Sequence, residues 1–306
     1  MKYVCVSPLY VGEPTGWNRP MMTPPQSTAL AAAFRSLHRA GAPLLLINVW
    51  DAASARLVEE AGATAIATSS SAISWSMGFP DGNRLPAGLA VSALARIVAA
   101  TSLPVTADIE TGYAGSGDGF DDKKLRNTVL AVLEAGAVGI NFEDSGDGPL
   151  TGTSEQCRRL DLVRETAAAA GVDLFINART DTYLSGHYPE RAFEETLARA
   201  EAYLAAGASG IFVPGVTDLH VLHELSRRID APLNALAGIG APSVGELHDA
   251  GVQRISIGGN TAKAAYATVS RVAEEVLGDG NWSGLAGARS HAAMDALFGD
   301  SPGPAT

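Results

Sequence analysis

The sequence predicts an α/β fold, a (β/α)8 TIM barrel, from three observations. Eight times between residues 44 and 280, a short apolar run is followed by a polar turn and an Ala/Leu/Glu/Arg-rich segment with helical spacing. The runs are continuously apolar, as in parallel strands that are buried on both faces. Polar side chains collect where the runs end and not where they start, as they do at the active-site rim of a barrel.

A doubly wound open sheet is the alternative fold for such an alternation of strands and helices. Its usual nucleotide-binding fingerprint is Gly-x-Gly-x-x-Gly directly after the first strand. The first apolar run leads instead into "NVWDAAS", which has no glycine. The closed barrel is therefore the preferred prediction.

The chain divides into three predicted segments. Residues 1–26 contain five prolines and are predicted to form an extended arm. Residues 27–280 form the barrel domain, and residues 281–306 form a further amphipathic helix with a loose tail. No charge block or low-complexity linker interrupts the middle segment, which is therefore predicted to be one domain.

The predicted strands and helices alternate along the barrel segment. The strands end, in order, at Trp50, Ser70, Glu110, Asp144, Thr180, Gly215, Ala237 and Gly259. The helices cover Ala52 to Ala61, Gly88 to Ala100, Asp122 to Ala135, Ser154 to Ala170, Pro189 to Ala206, Asp218 to Ile229, Ser243 to Ala250 and Thr261 to Leu277. Several helices stop at a glycine such as Gly62 or Gly251, a residue suited to the left-handed conformation that ends a helix.

Composition and charge restrict the class of ligand. The formal net charge of −11 argues against a nucleic-acid partner, because no basic stripe is present to neutralise phosphates. Two cysteines support neither a disulfide framework nor a zinc cluster, and cytoplasmic localisation is expected. No run approaches the ~20 apolar residues of a membrane helix, and no signal peptide is expected. A small-molecule ligand is the remaining class.

Acidic residues at neighbouring strand ends predict a metal site. Asp108 and Glu110 lie one residue apart and point the same way on a strand, so they repel each other unless a cation offsets the cost. With Glu143 opposite them, the site is rich in oxygen and suits Mg²⁺ first. Arg179, at the end of the fifth strand, is suited to pair with a substrate carboxylate in a fork geometry.

Three further acids have simpler interpretations. Asp51 is placed to cap the helix that starts at Ala52. Asp181 is interpreted as a turn residue, and Asp144 as a salt-bridge partner buried below the rim. A functional role is favoured for Asp108, Glu110, Glu143 and Arg179 taken together.

The order of the motifs "NVWDAASARLVEEAGATAIATSSS", "GFPDG", "ADIETGYAG", "NFED", "NARTD", "GIFVPG" and "PLNALAG" resembles the phosphoenolpyruvate mutase/isocitrate lyase superfamily. The resemblance runs from about Leu44 to Gly259. It implies an Mg²⁺-dependent barrel, with Mn²⁺ as the alternative ion, that makes or breaks a C–C or P–C bond next to a 2-oxo acid through an enolate. It also implies a homotetramer in which the last barrel helix is exchanged between subunits.

The resemblance also implies roles for individual residues. Asp108 would bind the metal directly, while Glu110, Glu143 and the loop residue Asp81 would act near it through water. The substrate, a small 2-oxo or 2-hydroxy acid, would be contacted by residues on several strand ends, namely Trp50, Ser69, Ser70, Arg179 and Asn234. Asp81, Glu143 and Arg179 are the residues assigned to catalysis.

The segment after the fourth predicted strand departs from that superfamily. Its C–C lyases carry a Lys-Lys/Arg-Cys-Gly-His motif there, whereas this chain reads "EDSGDGPLTGTSEQCRRL", and Cys157 is interpreted as a packing residue. Gly215 stands where the lyases typically carry Glu. The contacts of a mutase-like or hydrolase-like loop would then come from Thr151, Thr153 and Ser154.

Three other functions stay open on these residues. An oxaloacetate-type decarboxylase needs no dedicated carbon acid, because solvent can protonate the enolate. A catalytically silent barrel that binds a carboxylate is the alternative from a different class. A phosphate-binding aldolase or synthase is weakly permitted by "AGIGAP" and "SIGGNTA".

Histidines contribute no predicted acid or base. Five of them fall in helix patterns and are expected on surfaces, namely His38, His220, His223, His248 and His291. His187 alone follows a strand closely enough to reach the mouth of the barrel, and a solvated loop position is preferred for it.

Overall fold

The computed structural model describes residues 24–38, 41–115, 117–145, 149–186, 188 and 190–299. The predicted arm, 1–26, lies outside the described residues except for its last three, which open the first helix. The predicted tail after residue 299 and His187 also lie outside them. The division of the chain into three segments stays a prediction.

Nine parallel strands form a single nearly closed barrel, as predicted. The strands are β1 (Leu44–Leu46), β2 (Asn48–Val49), β3 (Ile66–Thr68), β4 (Val105–Asp108), β5 (Gly139–Glu143), β6 (Phe175–Arg179), β7 (Gly210–Phe212), β8 (Leu233–Leu236) and β9 (Arg254–Ser256). Their spatial order follows the chain around the ring. An open doubly wound sheet is thereby excluded.

The first predicted strand is divided into β1 and β2, which raises the number of strands from eight to nine. β1 pairs with β9 and β2 pairs with β3, so the ring closes through this one segment. The Asn48 side chain fills the interruption: its Nδ2 donates to the Thr68 carbonyl at 2.8 Å, and its Oδ1 accepts from the Ile257 and Gly258 amides at 3.0 and 2.9 Å. A side-chain amide thus takes over the hydrogen bonds that a continuous strand would make.

The helices surround the barrel close to their predicted bounds. They are α1 (Pro24–Leu37), α2 (Ala52–Glu60), α3 (Ser70–Ser76), α4 (Ala87–Ala99), α5 (Asp122–Glu134), α6 (Thr153–Ala169), α7 (Ala192–Ala205), α8 (Leu219–Arg228), α9 (Val244–Asp249), α10 (Asn260–Gly278) and α11 (His291–Ala296). The sequence did not predict α3, and it placed His38 in a helix pattern without giving bounds for α1. The predicted C-terminal helix is shorter than expected, since a 3-10 turn at Ser283–Leu285 precedes α11. No helix of the described residues is both long and apolar enough to cross a membrane.

α1 covers the end of the barrel opposite the rim. The Phe34 ring lies where a side chain on Gly139 of β5 would stand, since a Cβ there would come within 2.8 Å of the ring. His38, just after α1, stacks on Phe175 with ring centroids 4.0 Å apart and is buried. The expectation that His38 lies on the surface is therefore wrong. The other four helical histidines are exposed as expected.

Burial controls the charge state of His38. Its Nδ1 lies 3.0 Å from the Phe34 carbonyl, while no described residue forms a hydrogen bond with its Nε2. Desolvation and, to a lesser degree, the nearby Arg254 charge lower the pKa of His38 to about 3. The folded protein therefore keeps this ring neutral at a pH where an unfolded chain protonates it.

His38 should make the stability of the protein depend on pH. Below pH ~6.5 the unfolded chain takes up a proton that the folded chain refuses, so the free energy of unfolding falls by about 1.4 kcal/mol per pH unit from this group. Chemical denaturation should therefore show that the free energy of unfolding of His38→Phe, relative to that of wild type, is about 2 kcal/mol higher at pH 5 than at pH 7. His223→Gln, an exposed position on α8, is the control. If the difference in free energy of unfolding between wild type and His38→Phe were the same at both pH values, His38 would not cause the pH dependence.

The eighth barrel helix, α10, makes little contact with its own barrel. Of its 19 residues only Ala262 is buried. The outer face of β1 is correspondingly open, with Leu45 exposed by 41%. Apolar side chains at Val269, Leu277 and Trp282 are exposed by 65%, 87% and 67% along and just after α10.

Candidate active site

Three carboxylates gather where β4 and β5 end. Asp108 is the last residue of β4, Glu110 follows two residues later, and Glu143 is the last residue of β5. The backbone amide of Glu143 donates to the Glu110 carbonyl at 3.0 Å, which holds the two segments together. The predicted cluster is therefore brought together, because the carboxyl ends of parallel strands share one rim.

Glu110 is buried and incompletely paired. Its Oε2 accepts a hydrogen bond from the Asn83 amide, and this bond and the nearby Tyr113 hydroxyl both act to lower the pKa of Glu110. Its Oε1 is fully buried and has no hydrogen-bond partner among the described residues. Burial, and next the Asp108 charge, raise the pKa of Glu110 to about 7. A positive group beside Oε1 would give that oxygen a partner and would lower the pKa of Glu110.

The backbone around Glu110 is strained. Asn83, Glu110 and Tyr113 have φ of 58°, 52° and 54°, in the left-handed region that non-glycine residues rarely occupy. They contact one another: Asn83 binds Glu110 through its amide, and its Oδ1 accepts from the Thr111 hydroxyl at 2.9 Å. Such strain persists only where the surroundings impose it, and it is concentrated at functional sites.

Asp81 approaches the cluster from the loop between α3 and α4. Its side chain is exposed, yet the site walls partly desolvate it, and this effect together with the Asp108 charge raises the pKa of Asp81. Burial also raises the pKa of Glu143, against the opposing influence of Arg179. The Asp108 charge thus contributes to the raised pKa of all three neighbouring carboxyls, Asp81, Glu110 and Glu143.

Arg179 is the cation that the cluster already contains. Its Nη1 lies 2.8 Å from Glu143 Oε2, while its Nε and Nη2 donate to the two Asp181 oxygens at 2.7 and 2.8 Å. The interpretation of Asp181 as a turn residue is incomplete, because its carboxylate holds the arginine fork. Of the five N–H groups of a guanidinium, two remain for a ligand.

Asp144 lies below the rim, as predicted for a buried salt-bridge partner. Its Oδ2 is 3.0 Å from Arg199 Nη1 and accepts from the Tyr203 hydroxyl at 2.7 Å, and its Oδ1 accepts from the Asp181 amide at 3.1 Å. Arg199 Nη1 also donates to the Thr151 carbonyl at 2.8 Å. The segments after β5 and β6 are therefore fastened to α7 directly beneath Arg179.

The serines at the end of β3 bind protein groups in this structure. The Ser70 hydroxyl donates to Asp108 Oδ2 at 2.7 Å, and the Ser70 amide donates to the same oxygen at 3.2 Å. Ser69 caps α3 by accepting from the Ala72 amide. Ser70 thus orients Asp108, and its predicted contact with a substrate stays a prediction.

The remaining predicted residues lie farther around the barrel. Trp50 follows β2 and packs on Tyr266 of α10, with centroids 6.4 Å apart. Asn234 of β8 is fully buried. Its Oδ1 accepts from the Ser256 hydroxyl at 3.3 Å, and its Nδ2 has no hydrogen-bond partner within the described ranges. Asp51 caps α2 in a capping box with Ser54, as predicted.

The donor set fits a magnesium ion that keeps much of its water. In the described part of the chain, no three His, Cys, Asp or Glu side chains enclose an ion by themselves. Mg²⁺ is usually held by one or two carboxylates, with water and ligand oxygens completing its octahedron. The unpartnered Glu110 Oε1 and the crowded, oxygen-only carboxylates match that requirement.

The sequence indicated no role for Asn83 or Tyr113, and it assigned Asp181 only a turn position. The Arg-x-Asp spacing of "NARTD" was a visible signal for Asp181, since residues two apart at a strand end point the same way. Asn83 and Tyr113 carried no such signal, because their positive φ arises from contacts between distant loops.

The closed barrel, with acidic and basic side chains collected at the carboxyl ends of its strands, has the architecture of a TIM-barrel enzyme. Residues 34–277 match the family model of phosphoenolpyruvate phosphomutase, and the chain belongs to the phosphoenolpyruvate mutase/isocitrate lyase superfamily. This membership supports an enzyme of the lyase or phosphonomutase type.

Individual relatives agree with this placement. A crystal structure from Burkholderia cenocepacia, described as a candidate phosphonomutase, is 40% identical, covers 83% of this chain and 100% of its own, and has a TM-score of 0.76. The 2-methylisocitrate lyase of Aeropyrum pernix is 29% identical over 76% of this chain and 75% of its own length. A phosphonopyruvate hydrolase in complex with oxalate and Mg²⁺ is 22% identical, with a TM-score of 0.76 over 91% of this chain and 96% of its own, and shares the fold.

Proposed function

We propose that the protein is an Mg²⁺-dependent enzyme that cleaves or rearranges a C–C or P–C bond next to a 2-oxo acid, through an enolate. The observation that carries the proposal is the cluster of Asp108, Glu110 and Glu143 beside Arg179, with Glu110 Oε1 buried and unpartnered. The carboxylates suit a hard cation, and the arginine suits the carboxylate of the substrate.

Asp108 would hold the ion directly, while Glu110, Glu143 and Asp81 would hold its water. When bound, the ion would supply Lewis-acid stabilisation of the charge that develops on the 2-oxo oxygen. Ser70 donates two hydrogen bonds to Asp108 Oδ2, and Oδ1 accepts a long hydrogen bond from the Glu110 amide at 3.5 Å, so the carboxylate keeps lone pairs for an ion. Mn²⁺ offers the same chemistry to the same oxygens.

Arg179 would bind the substrate carboxylate through its two remaining N–H groups. Glu143 and Asp181 hold the guanidinium from two sides and so fix its plane before the substrate arrives. Fixing the donor in advance reduces the reorganisation needed on binding. Trp50, Ser69 and Asn234 complete the proposed substrate contacts.

An oxaloacetate-type decarboxylase is the second candidate. The segment between β5 and α6, residues 144–152, contains no Lys, His or Cys that would protonate an enolate carbon. Its end is fastened by the Thr151 amide, which donates to the Asp144 carbonyl at 2.8 Å, and by Arg199 at the Thr151 carbonyl. A reaction that takes its proton from solvent fits this segment.

Titration calorimetry tests the proposed site without assuming a substrate. Wild-type protein should bind Mg²⁺, and oxalate should bind measurably only when Mg²⁺ is present, because the ion and Arg179 would share the oxalate oxygens. Oxalate is the probe because it accompanies Mg²⁺ in the phosphonopyruvate hydrolase structure. Absence of Mg²⁺ binding, or oxalate binding that EDTA does not change, would contradict the proposal.

Ser70→Ala should weaken Mg²⁺ binding about tenfold, because a residue that orients a metal ligand typically contributes 10–100-fold to affinity. The measurement is the Mg²⁺ dissociation constant of the substrate-free protein. Ser74→Ala is a matched control on the same helix, since the Ser74 hydroxyl is fully buried and has no partner. Equal affinities in both variants and wild type would show that Ser70 does not orient Asp108.

We also propose a homotetramer in which α10 is exchanged between subunits. The single buried residue of α10 and the open outer face of β1 support it, because each surface lacks a partner within the described chain. Light scattering should give a tetramer for wild type and smaller species for Val269→Asp, which places a charge on the exposed apolar face. A monomeric wild type would overturn this part of the proposal.

A further inference from the structure

Arg254 is a fully buried arginine, and no acidic side chain of the described residues pairs with it. It belongs to β9, is exposed by 1%, and is among the largest fully buried side chains. Its Nη2 donates to Asn141 Oδ1 at 3.0 Å, while its Nε and Nη1 are buried and find no hydrogen-bond partner in the part of the chain that the structure describes. Within the described ranges, no carboxylate lies at ion-pair distance from it.

Such an arginine is costly to the fold. An ionised group without a paired charge in the interior loses hydration that the protein does not replace. The Phe34 and Phe175 rings, with centroids 5.8 and 5.9 Å from the guanidinium carbon, offer only weak compensation. Desolvation lowers the pKa of Arg254 to about 9, so the side chain still carries its charge at neutral pH.

The position of the charge relates it to the acidic cluster. Asn141, which Arg254 contacts, is the register partner of Asp108 on the neighbouring strand. The guanidinium therefore lies next to the residue that flanks Asp108 inside the barrel. Asp108 is also the acid whose charge favours the protonated form of Arg254.

We propose that Arg254 sets the electrostatic specificity of the candidate site: its fixed positive charge beneath Asp108 weakens binding of the metal ion alone and strengthens binding of the anionic ligand. This inference rests on the proposed function, because it concerns the same site. A positive charge opposes a cation and attracts an anion through the same low-dielectric interior. The metal ion and a doubly charged acid would then bind favourably as a pair, while neutral analogues would bind poorly.

Neutral replacements separate this role from a structural one. Arg254→Met has similar volume and no charge, and replacing buried charged groups with apolar residues is often neutral or stabilising. At about pH 8, Arg254→Met should bind Mg²⁺ about tenfold more tightly than wild type and, at saturating Mg²⁺, oxalate about tenfold more weakly. Arg158→Met, which removes a positive charge from the exposed side of α6, is the matched control and should stay close to wild type in both dissociation constants.

The decisive result is that the Mg²⁺ and oxalate dissociation constants change in opposite directions. A structural defect would weaken both ligands together, and that result, or no change in either, would overturn the proposal. If Arg254→Met does not fold, the same two changes are expected for Arg254→Gln. If neither neutral variant folds, the charge of Arg254 is needed for the fold, and the proposal is overturned. The proposed function fails separately, if wild-type protein binds no Mg²⁺.

Discussion

Asp108→Ala is expected to abolish Mg²⁺ binding and to lower turnover by about a thousandfold or more. Lewis-acid stabilisation contributes several kcal/mol to such reactions, and each ~1.4 kcal/mol is a factor of ten in rate. Asp108 is the proposed direct ligand, and the hydroxyl and amide of Ser70 already fix its Oδ2. Calorimetry with Mg²⁺ and steady-state kinetics with any active substrate measure the two effects.

Asp51→Ala is the control for Asp108→Ala. Asp51 also follows a strand at the rim, but its carboxylate accepts from the Ser54 amide at 2.7 Å and caps α2. Its loss should cost about 1 kcal/mol of stability and leave the Mg²⁺ dissociation constant unchanged. Retention of Mg²⁺ binding and turnover in Asp108→Ala would remove this residue from the metal site.

Arg179→Lys is expected to weaken oxalate binding and to raise KM about a hundredfold. Hydrogen bonds to charged groups contribute about 1.5–3 kcal/mol each, and lysine cannot reproduce the planar fork. Lysine is the chosen replacement because an uncharged residue would leave Glu143 and Asp181 without a counter-charge. The measurements are the oxalate dissociation constant at saturating Mg²⁺, by calorimetry, and the separate changes in KM and kcat.

The surface arginine Arg158 offers a matched control for Arg179. It also makes a forked pair, donating to both Asp122 oxygens at 2.7 and 2.9 Å, but it lies on the exposed side of α6. Arg158→Lys should therefore leave oxalate binding unchanged. If Arg179→Lys kept the wild-type oxalate affinity, the substrate carboxylate would have to bind elsewhere.

The barrel could be predicted from the sequence because its determinants are local and repeated. Apolar runs followed by amphipathic helices fix the order of strands, and the observed ring follows that order. The helix α3 escaped prediction because "SSSAISWS" is rich in serine, which favours caps over helix interiors. His38 was misplaced because the burial of α1 depends on its docking under the barrel, which no local pattern records.

The sequence predicted which residues belong to the candidate site but not which groups each of them binds. Asp108, Glu110, Glu143 and Arg179 meet because strand ends meet, which topology alone dictates. Which group each of them binds depends on tertiary detail. Ser70 turns toward Asp108, and the left-handed backbone of Glu110 is held by Asn83 from a loop 27 residues away.

Product release from a panel of small acids tests the central claim most directly. Pyruvate formation should be followed from oxaloacetate, phosphonopyruvate, 2-methylisocitrate and dimethylmalate, and glyoxylate formation from isocitrate. Phosphoenolpyruvate should be measured in parallel, and every assay should be run with Mg²⁺ and with EDTA. The account predicts turnover of at least one acid that requires Mg²⁺ and disappears in Asp108→Ala. Turnover that persists in EDTA would contradict the proposed Mg²⁺ dependence. A protein that binds Mg²⁺ and oxalate yet converts none of these acids would contradict the proposed activity and would indicate a carboxylate-binding barrel without catalysis.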